Sequence, residues 1–308
     1  MNIAIIGAGR NRNGIGQYIA KFLNHHGARV TAVLGTSEET SKDAARTLGK
    51  YGIGSNPYTN FKRMIEQERP DAVVIASPST THFEYLTKSA EFGLHIFCEK
   101  PFVWPGHADT REKVEGILKK VKEKKLTLAM NSQWPFALRF YQRICGEIEM
   151  NPSNRFIIQM SPFSLGKEMI PEAVPHALSL LYSSFGEGRI TELRFQTPRE
   201  EEIVIAFRYA GLGSNCQVLV RLLRKEEQPR DFYFGFNDRI ARRSLDLQTY
   251  QIYLEYGGRR LKIPDPLELS VQDFLEAVEK KVEPLIGYSH ILSNMSLLKE
   301  IYDRYEEN

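Results

Sequence analysis

The chain has 308 residues, of which 42% are hydrophobic and 26% charged; these proportions exclude a fibrous or disordered protein, and the length allows two domains with a sizeable core. Lys and Arg number 41 against 38 Asp and Glu, a net charge of +3, and outside the run Lys119–Lys125 the cations are scattered, which argues against a nucleic-acid surface. That run falls at a predicted helix end, where cations suit the helix dipole. The cysteines Cys98, Cys145 and Cys216 lack any C-x-x-C spacing, so neither a disulfide framework nor a zinc site is expected, and a reducing cytoplasm fits. Asn2 to Ile6 already reads as a strand, leaving no room for a secretory leader, and no apolar run approaches the length that spans a bilayer. A cytoplasmic protein with no membrane, nucleic-acid or metal partner is the expectation.

From residue 2 to about 130 strands and helices alternate. Ile3–Ile6, Val30–Leu34, Ala72–Ala76, Leu94–Cys98 and Leu126–Met130 are short apolar strands without polar alternation, and helices are predicted from about Ile15, through Ala44-Ala45, near Phe83–Phe92 and through Val114–Val121. Strands apolar on every residue are buried on both faces, as in a parallel sheet covered by helices. This is a doubly wound α/β domain, 1–130. Beyond it Arg155–Met160, Thr191–Gln196, Ile203–Tyr209, Gln217–Leu223, Phe232–Phe236 and Gln251–Tyr256 read as strands joined by turns, a mainly antiparallel sheet. Helices over Val271–Lys281 and Ser289–Tyr305 close a second domain, 131–308, and are expected to pack back on the first. The cleft between the domains is the expected binding site.

Gly7-Ala8-Gly9 follows a strand and precedes a helix, the context in which a G-x-G turn brings backbone against a pyrophosphate resting on the helix N-terminus. The spacing is unusual: Arg10-Asn11-Arg12-Asn13 intervene before Gly14-Ile15-Gly16, which reads as an insertion of about four residues, with Gly16 taking the helix-packing position. Gly7, Gly9, Ile15 and Gly16 are therefore the expected cradle, and Arg10 and Arg12 are placed to meet a phosphate. The second strand ends in Gly35-Thr36-Ser37 and meets no carboxylate before Glu38. An Asp or Glu at that tip would hydrogen-bond the adenine ribose and repel a 2′-phosphate. Thr36 and Ser37, with Arg10, Arg12 or Lys42 in reach, favour NADP, and a loop tolerating both NADP and NAD is the alternative.

Glu99-Lys100-Pro101 stands at the carboxyl end of a buried strand, where open α/β sheets bind ligands. Together with Tyr58-Thr59-Asn60-Phe61, the run Asp71-Ala72-Val73-Val74-Ile75-Ala76-Ser77-Pro78-Ser79-Thr80-Thr81-His82, Glu99-Lys100-Pro101-Phe102, and Pro175-His176-Ala177-Leu178 leading to Phe185-Gly186, it makes the chain resemble the Gfo/Idh/MocA oxidoreductases, the family of glucose-fructose oxidoreductase and inositol dehydrogenase. The resemblance covers nearly the whole length. It implies an N-terminal Rossmann domain and a C-terminal domain whose open antiparallel sheet covers the active site and forms homodimers or homotetramers. It also implies hydride transfer between a nicotinamide and a hydroxyl or keto carbon of a sugar, polyol or sugar nucleotide. By the same resemblance Ser77, Pro78 and His82 flank the nicotinamide ribose, Glu99 and Lys100 carry the lysine signature, and the bond before Pro101 is cis.

Loss of hydride from an alcohol needs a base at its oxygen. A lysine serves when burial and neighbouring positive charge lower its pKa, and a histidine titrates near neutrality unaided. Lys100 and His176 are the expected proton-handling pair. By the resemblance, an aspartate four residues before that histidine helps to bind substrate and complete the proton relay; here the position holds Glu172, the expected third catalytic and substrate-binding residue with His176, and Pro175 suggests that Glu172 lies just ahead of the helix. Leu165-Gly166-Lys167-Glu168-Met169-Ile170-Pro171 lacks the usual glycine-rich stretch, which points to an unusual substrate. In Asn131-Ser132-Gln133-Trp134-Pro135, Gln133 is placed to hydrogen-bond and Trp134 to stack on a sugar ring. Imine reduction, a redox-neutral reaction with tightly held cofactor, and a non-catalytic cofactor sensor are the rival readings.

Overall fold

The structure, a computed structural model, describes residues 1–9, 15–149, 151–211 and 214–306. The chain divides into two compact units, Met1–Asn131 with Leu267–Ile291, and Ser132–Pro266 with Leu292–Asn308.

In the first unit the apolar runs form the expected parallel strands. The order along the chain is β1 (Asn2–Ile6), α1 (Ile15–His25), β2 (Arg29–Leu34), α2 (Glu38–Gly49), β3 (Asn56–Tyr58), α3 (Phe61–Glu68), β4 (Ala72–Ile75), α4 (His82–Glu91), β5 (His95–Glu99), α5 (Thr110–Glu123) and β6 (Leu128–Asn131). All neighbours pair in parallel, in the spatial order β3-β2-β1-β4-β5-β6. The order reverses direction between β1 and β4, the switch point at which open sheets of this kind bind ligands. Ile6, Ile75, Cys98 and Met130 lie in one register row across four strands, so the segments that follow them emerge along one carboxyl edge. Helix α8 (Pro266–Lys280) adds Leu267, Val271 and Phe274 to this unit's core. Phe274 is fully buried, with its ring 5.4 Å from that of Phe97; burial of such a side chain is worth about 1.5–3 kcal/mol.

The second unit contains α6 (Leu138–Cys145), β7 (Asn154–Met160), α7 (Met169–Phe185), β8 (Gly188–Arg199), β9 (Glu202–Gly211), β10 (Ser214–Leu223), β11 (Tyr233–Phe236), β12 (Arg239–Leu245), β13 (Ile252–Tyr256) and β14 (Arg259–Ile263), with α9 (Tyr288–Arg304) running from the first unit into it. The eight strands form one sheet ordered β14-β13-β12-β11-β7-β10-β9-β8, antiparallel except for the parallel pair β7 and β10. One face carries an aromatic core: Tyr141 lies 5.0 Å from Phe234, Phe156 lies 4.8 Å from Phe236, and the Tyr141 hydroxyl donates to the Arg239 carbonyl at 2.6 Å. Along β7 the side chains of Arg155 and Ile157 alternate with the buried Phe156 and Ile158 and point to the sheet's open face.

One expectation is corrected. Helix α7 starts at Met169, so Pro175 is inside it and Glu172 lies in its first turn rather than ahead of it. An internal proline forfeits a backbone bond and costs about 3 kcal/mol. Here Ile170, Ala173, Val174, Ala177, Leu178, Leu180 and Leu181 bury the helix around most of its circumference, and that burial outweighs the loss. Among the described residues no helix is long and apolar enough to cross a membrane.

Candidate functional site

The carboxyl edge of the first sheet is built around glycines that only glycine can supply. Gly7 has φ +90°, and a Cβ there would lie 2.5 Å from the Ser77 nitrogen; the turn after β1 therefore presses against the chain leaving β4. A Cβ on Gly16 would approach the Ala8 Cα to 3.1 Å, and one on Gly9 would meet the Thr40 carbonyl at 2.9 Å. The first turn of α1 and the N-terminus of α2 thus both close on the Gly7–Gly9 backbone, leaving main chain where a pyrophosphate requires it. This arrangement fits a dinucleotide. Arg10 and Arg12 lie outside the described residues, while Ile15 is the first residue of α1.

At the tip of β2, Thr36 and Ser37 are exposed. Ser37 is the N-cap of α2: its Oγ accepts from the Thr40 N–H at 3.2 Å, and its own N–H donates to Thr40 Oγ1 at 3.0 Å. Lys42 does not point away as a free cation but holds the Glu38 carboxylate at 2.8 Å.

Ser77 Oγ lies 2.8 Å from Thr81 Oγ1, and the Thr81 hydroxyl donates to the Pro78 carbonyl at 2.7 Å, so the loop after β4 closes on itself. His82 is 1% exposed. Its Nδ1 lies 2.8 Å from the Pro101 carbonyl and its Nε2 lies 3.0 Å from the Ser77 carbonyl, so both ring nitrogens face protein backbone. Lys100 follows β5 and is half-buried, and the Lys100–Pro101 bond is cis. Glu99, also buried, accepts from Asn131 Nδ2 across the β5–β6 register pair. Sheet spacing puts the β5 terminus two strands, about 10 Å, from the glycine turn on β1. Cys98 beside it is inert as a thiolate, since burial, reinforced by the charge of Glu99, pushes its thiol well up.

In the second unit Glu172 and His176 stand one turn apart on α7, on the same helix face. Glu172 is held by the chain itself: its two oxygens accept from the Phe163 N–H and the Ser164 N–H, each at 2.9 Å. His176 Nδ1 lies 3.2 Å from Ser132 Oγ, and Ser132 Oγ lies 3.3 Å from the Pro175 carbonyl. If the serine donates to that carbonyl, its oxygen accepts Nδ1–H, which puts the imidazole lone pair on Nε2. Ser132 is a contributor that sequence reasoning passed over; its signal was its place directly ahead of Gln133-Trp134. Gln133 is half-buried. Trp134 is 4% exposed, with its ring stacked on Phe232 at 3.7 Å and 17°, so the face turned to Phe232 is closed to a sugar. Arg230 was also missed. Its guanidinium lies 3.2 Å from the Phe163 ring centroid, and burial pushes it down to about 10, opposed by the charge of Glu172 and reinforced by Arg243. Among the described residues no group of three or more His, Cys, Asp and Glu is placed to hold a metal ion.

Residues 1–132 match the family described as "Oxidoreductase family, NAD-binding Rossmann fold" (GFO_IDH_MocA). Scyllo-inositol 2-dehydrogenase (NAD(+)) of Bacillus subtilis (strain 168) is 33% identical over 122 residues, 39% of this chain and 32% of that protein. A 2,7-anhydro-N-acetylneuraminate hydratase of Escherichia coli (strain K12) is 29% identical over 102 residues, 33% of this chain and 24% of that protein. The matched stretch thus spans a third or less of the length of these curated relatives. The fold is shared over nearly the whole chain with the solved UDP-N-acetylglucosamine 3-dehydrogenase of Acidithiobacillus ferrooxidans, at TM-score 0.71 and 18% identity, covering 98% of this chain and 97% of that one. The resemblance read from the motifs and the family match agree over the first 132 residues, which are similar to the NAD-binding Rossmann domain of the Gfo/Idh/MocA oxidoreductases.

Proposed function

We propose that the protein is an NAD(P)-dependent oxidoreductase acting on a hydroxyl or keto carbon of a sugar, polyol or sugar-nucleotide-like substrate. The observation that carries this reading is Lys100 at the carboxyl end of β5, on the same sheet edge as a glycine turn whose Cβ positions are filled by neighbouring backbone. A bound nicotinamide would supply the hydride acceptor or donor. In this reading Gly7, Gly9 and Gly16 hold the pyrophosphate, and Ser77 and Pro78 line the ribose side. Lys100 takes the proton from the substrate hydroxyl during oxidation and returns it to the carbonyl oxygen during reduction. His176, its tautomer set through Ser132, is the second proton-handling group of this reading. Glu172 shapes the neighbouring loop through the Phe163 and Ser164 N–H groups, and Gln133 offers a polar contact to substrate.

NADP acceptance is part of the proposal. No carboxylate stands at the β2 tip before Glu38, whose charge Lys42 compensates, and the N-terminus of α2 favours an anion. We also infer self-association through the open face of the second sheet, in which Leu219 is exposed. A redox-neutral reaction with retained cofactor is the second reading, favoured by the match to a protein named as a hydratase.

The test is a panel of sugars, polyols and sugar nucleotides followed by nicotinamide absorbance with both cofactors, for wild type and Lys100→Ala. Turnover by wild type and its loss in the variant are expected. Equal turnover by the two proteins removes the lysine role, whereas a substrate consumed without absorbance change selects the redox-neutral reading.

A further inference from the structure

We propose that His82 is a positioning residue which, as the imidazolium, joins the loop after β4 to the loop that carries Lys100. The inference rests on the reading of Lys100 given above, but its chemistry is separate. His82 is the first residue of α4 and 1% exposed. Both of its ring nitrogens lie at donor geometry from main-chain carbonyls, 2.8 Å from Pro101 and 3.0 Å from Ser77. A carbonyl oxygen only accepts, and a neutral imidazole has one N–H, so one of the two contacts would set lone pair against lone pair. The protonated ring donates to both.

The bridge joins two segments that otherwise belong to different strands. Ser77 is the residue whose backbone touches the glycine turn, 2.5 Å from the Cβ position of Gly7. Pro101 follows Lys100 directly. One ring therefore sets the separation between the glycine turn and the lysine without itself facing a ligand. Titratable groups on the neighbouring segments have their own partners. Glu84 and Lys88 pair on the outer side of α4. Glu99 accepts from Asn131, and Cys98 Sγ points to the Glu99 carbonyl. Lys113 on α5 reaches Asp109 at 3.0 Å. The two carbonyl dipoles offset the positive end of α4.

Two measurements test the proposal. Nitrogen-15 NMR of histidine-labelled wild type at neutral pH, with His82 assigned by comparison with His82→Asn, is expected to show both ring nitrogens protonated; a neutral ring with one bare nitrogen overturns it. In kinetics, His82→Asn, which retains one donor, is expected to lower kcat about tenfold in the wild-type background and to add no further loss on top of Lys100→Ala. An additive loss, or an unchanged kcat with the variant folded, overturns the positioning role. Should Lys100→Ala prove as active as wild type, the functional reading fails, and the NMR result still decides the state of the ring.

Discussion

The glycine edge of the first unit and the α7 face of the second use functional-looking residues in opposite ways. At the first, backbone does the shaping: Gly7, Gly9 and Gly16 admit neighbouring main chain where a side chain would stand, His82 bonds carbonyls, and Lys100 follows β5 on the same sheet edge. At the second, side chains that could have served a ligand are engaged by the protein. Trp134 stacks on Phe232, and the Glu172 carboxylate closes on two backbone N–H groups. A residue type that suits a chemistry becomes available for it only when its own fold leaves its polar atoms or ring faces unspent.

The sharpest way to break this contrast is to exchange the readouts. Lys100→Ala is expected to reduce kcat by about 10²–10⁴ while leaving the unfolding midpoint near that of wild type, because general acid–base catalysis supplies that range and the side chain is only half-buried. Trp134→Ala is expected to do the reverse. Removing a stacked indole that is 4% exposed costs about 3–5 kcal/mol of stability. Urea titration of both proteins checks the pair. A Trp134 variant with wild-type stability and a raised KM would return that ring to the substrate.

The first unit also carries a group that makes it sensitive to acid. His290, in the first unit, is 3% exposed, and burial pushes its pKa from 6.5 down to about 4, against a hydrogen bond with the Leu285 backbone. The unfolded chain therefore binds a proton that the folded chain refuses between those values. The stability from this group is whole above pH 6.5 and is lost as pH falls towards 4, by about 3 kcal/mol. Comparing urea midpoints at pH 7 and pH 4.5, the drop should be smaller in His290→Gln than in wild type; equal drops would mean that another group sets the acid limb.

Glu172→Gln is a smaller and more discriminating change. A carboxylate that accepts from two backbone N–H groups is replaced by an amide that satisfies one of them, an expected loss of about 1–3 kcal/mol. With Glu172 acting on the loop, the melting temperature falls by a few degrees and kcat changes little at temperatures where the variant is folded. A large fall in kcat with unchanged melting temperature would instead give Glu172 the proton-relay role that its family counterpart suggested.

What could be read beforehand follows from where the determining interactions lie. Strands β1, β4, β5 and β6 were legible because burial on both faces keeps Ile3–Ile6, Ala72–Ile75, Ile96–Cys98 and Leu128–Met130 apolar without alternation. Strand β3, three residues containing Pro57, and α3 beside it were too short to carry a period. Strand β12, Arg239–Leu245, has Ala241 as its one fully buried residue and three arginines, and so hides among charged loops. The lysine and histidine positions were readable from motifs. The staples around them were not: the Phe232 ring beneath Trp134, the N–H groups facing Glu172, and the carbonyls facing His82 come from distant chain or from backbone, which has no letter in a sequence.

The cofactor tip offers the smallest effect and the cleanest control. Ser37 caps α2 through its side chain, and aspartate caps a helix about as well as serine. Ser37→Asp should therefore leave the melting temperature unchanged while placing a carboxylate where a ribose phosphate would sit. At about 4 Å such a charge pair is worth about 1–4 kcal/mol near a protein surface. The NADP-to-NAD ratio of kcat/KM is accordingly expected to fall at least about tenfold. Thr36→Asp adds the same charge without inheriting the cap, so a matching fall there assigns the effect to charge rather than to helix geometry. A ratio that moves in neither variant would mean that the β2 tip does not read the ribose, and that cofactor choice lies with residues of the first loop.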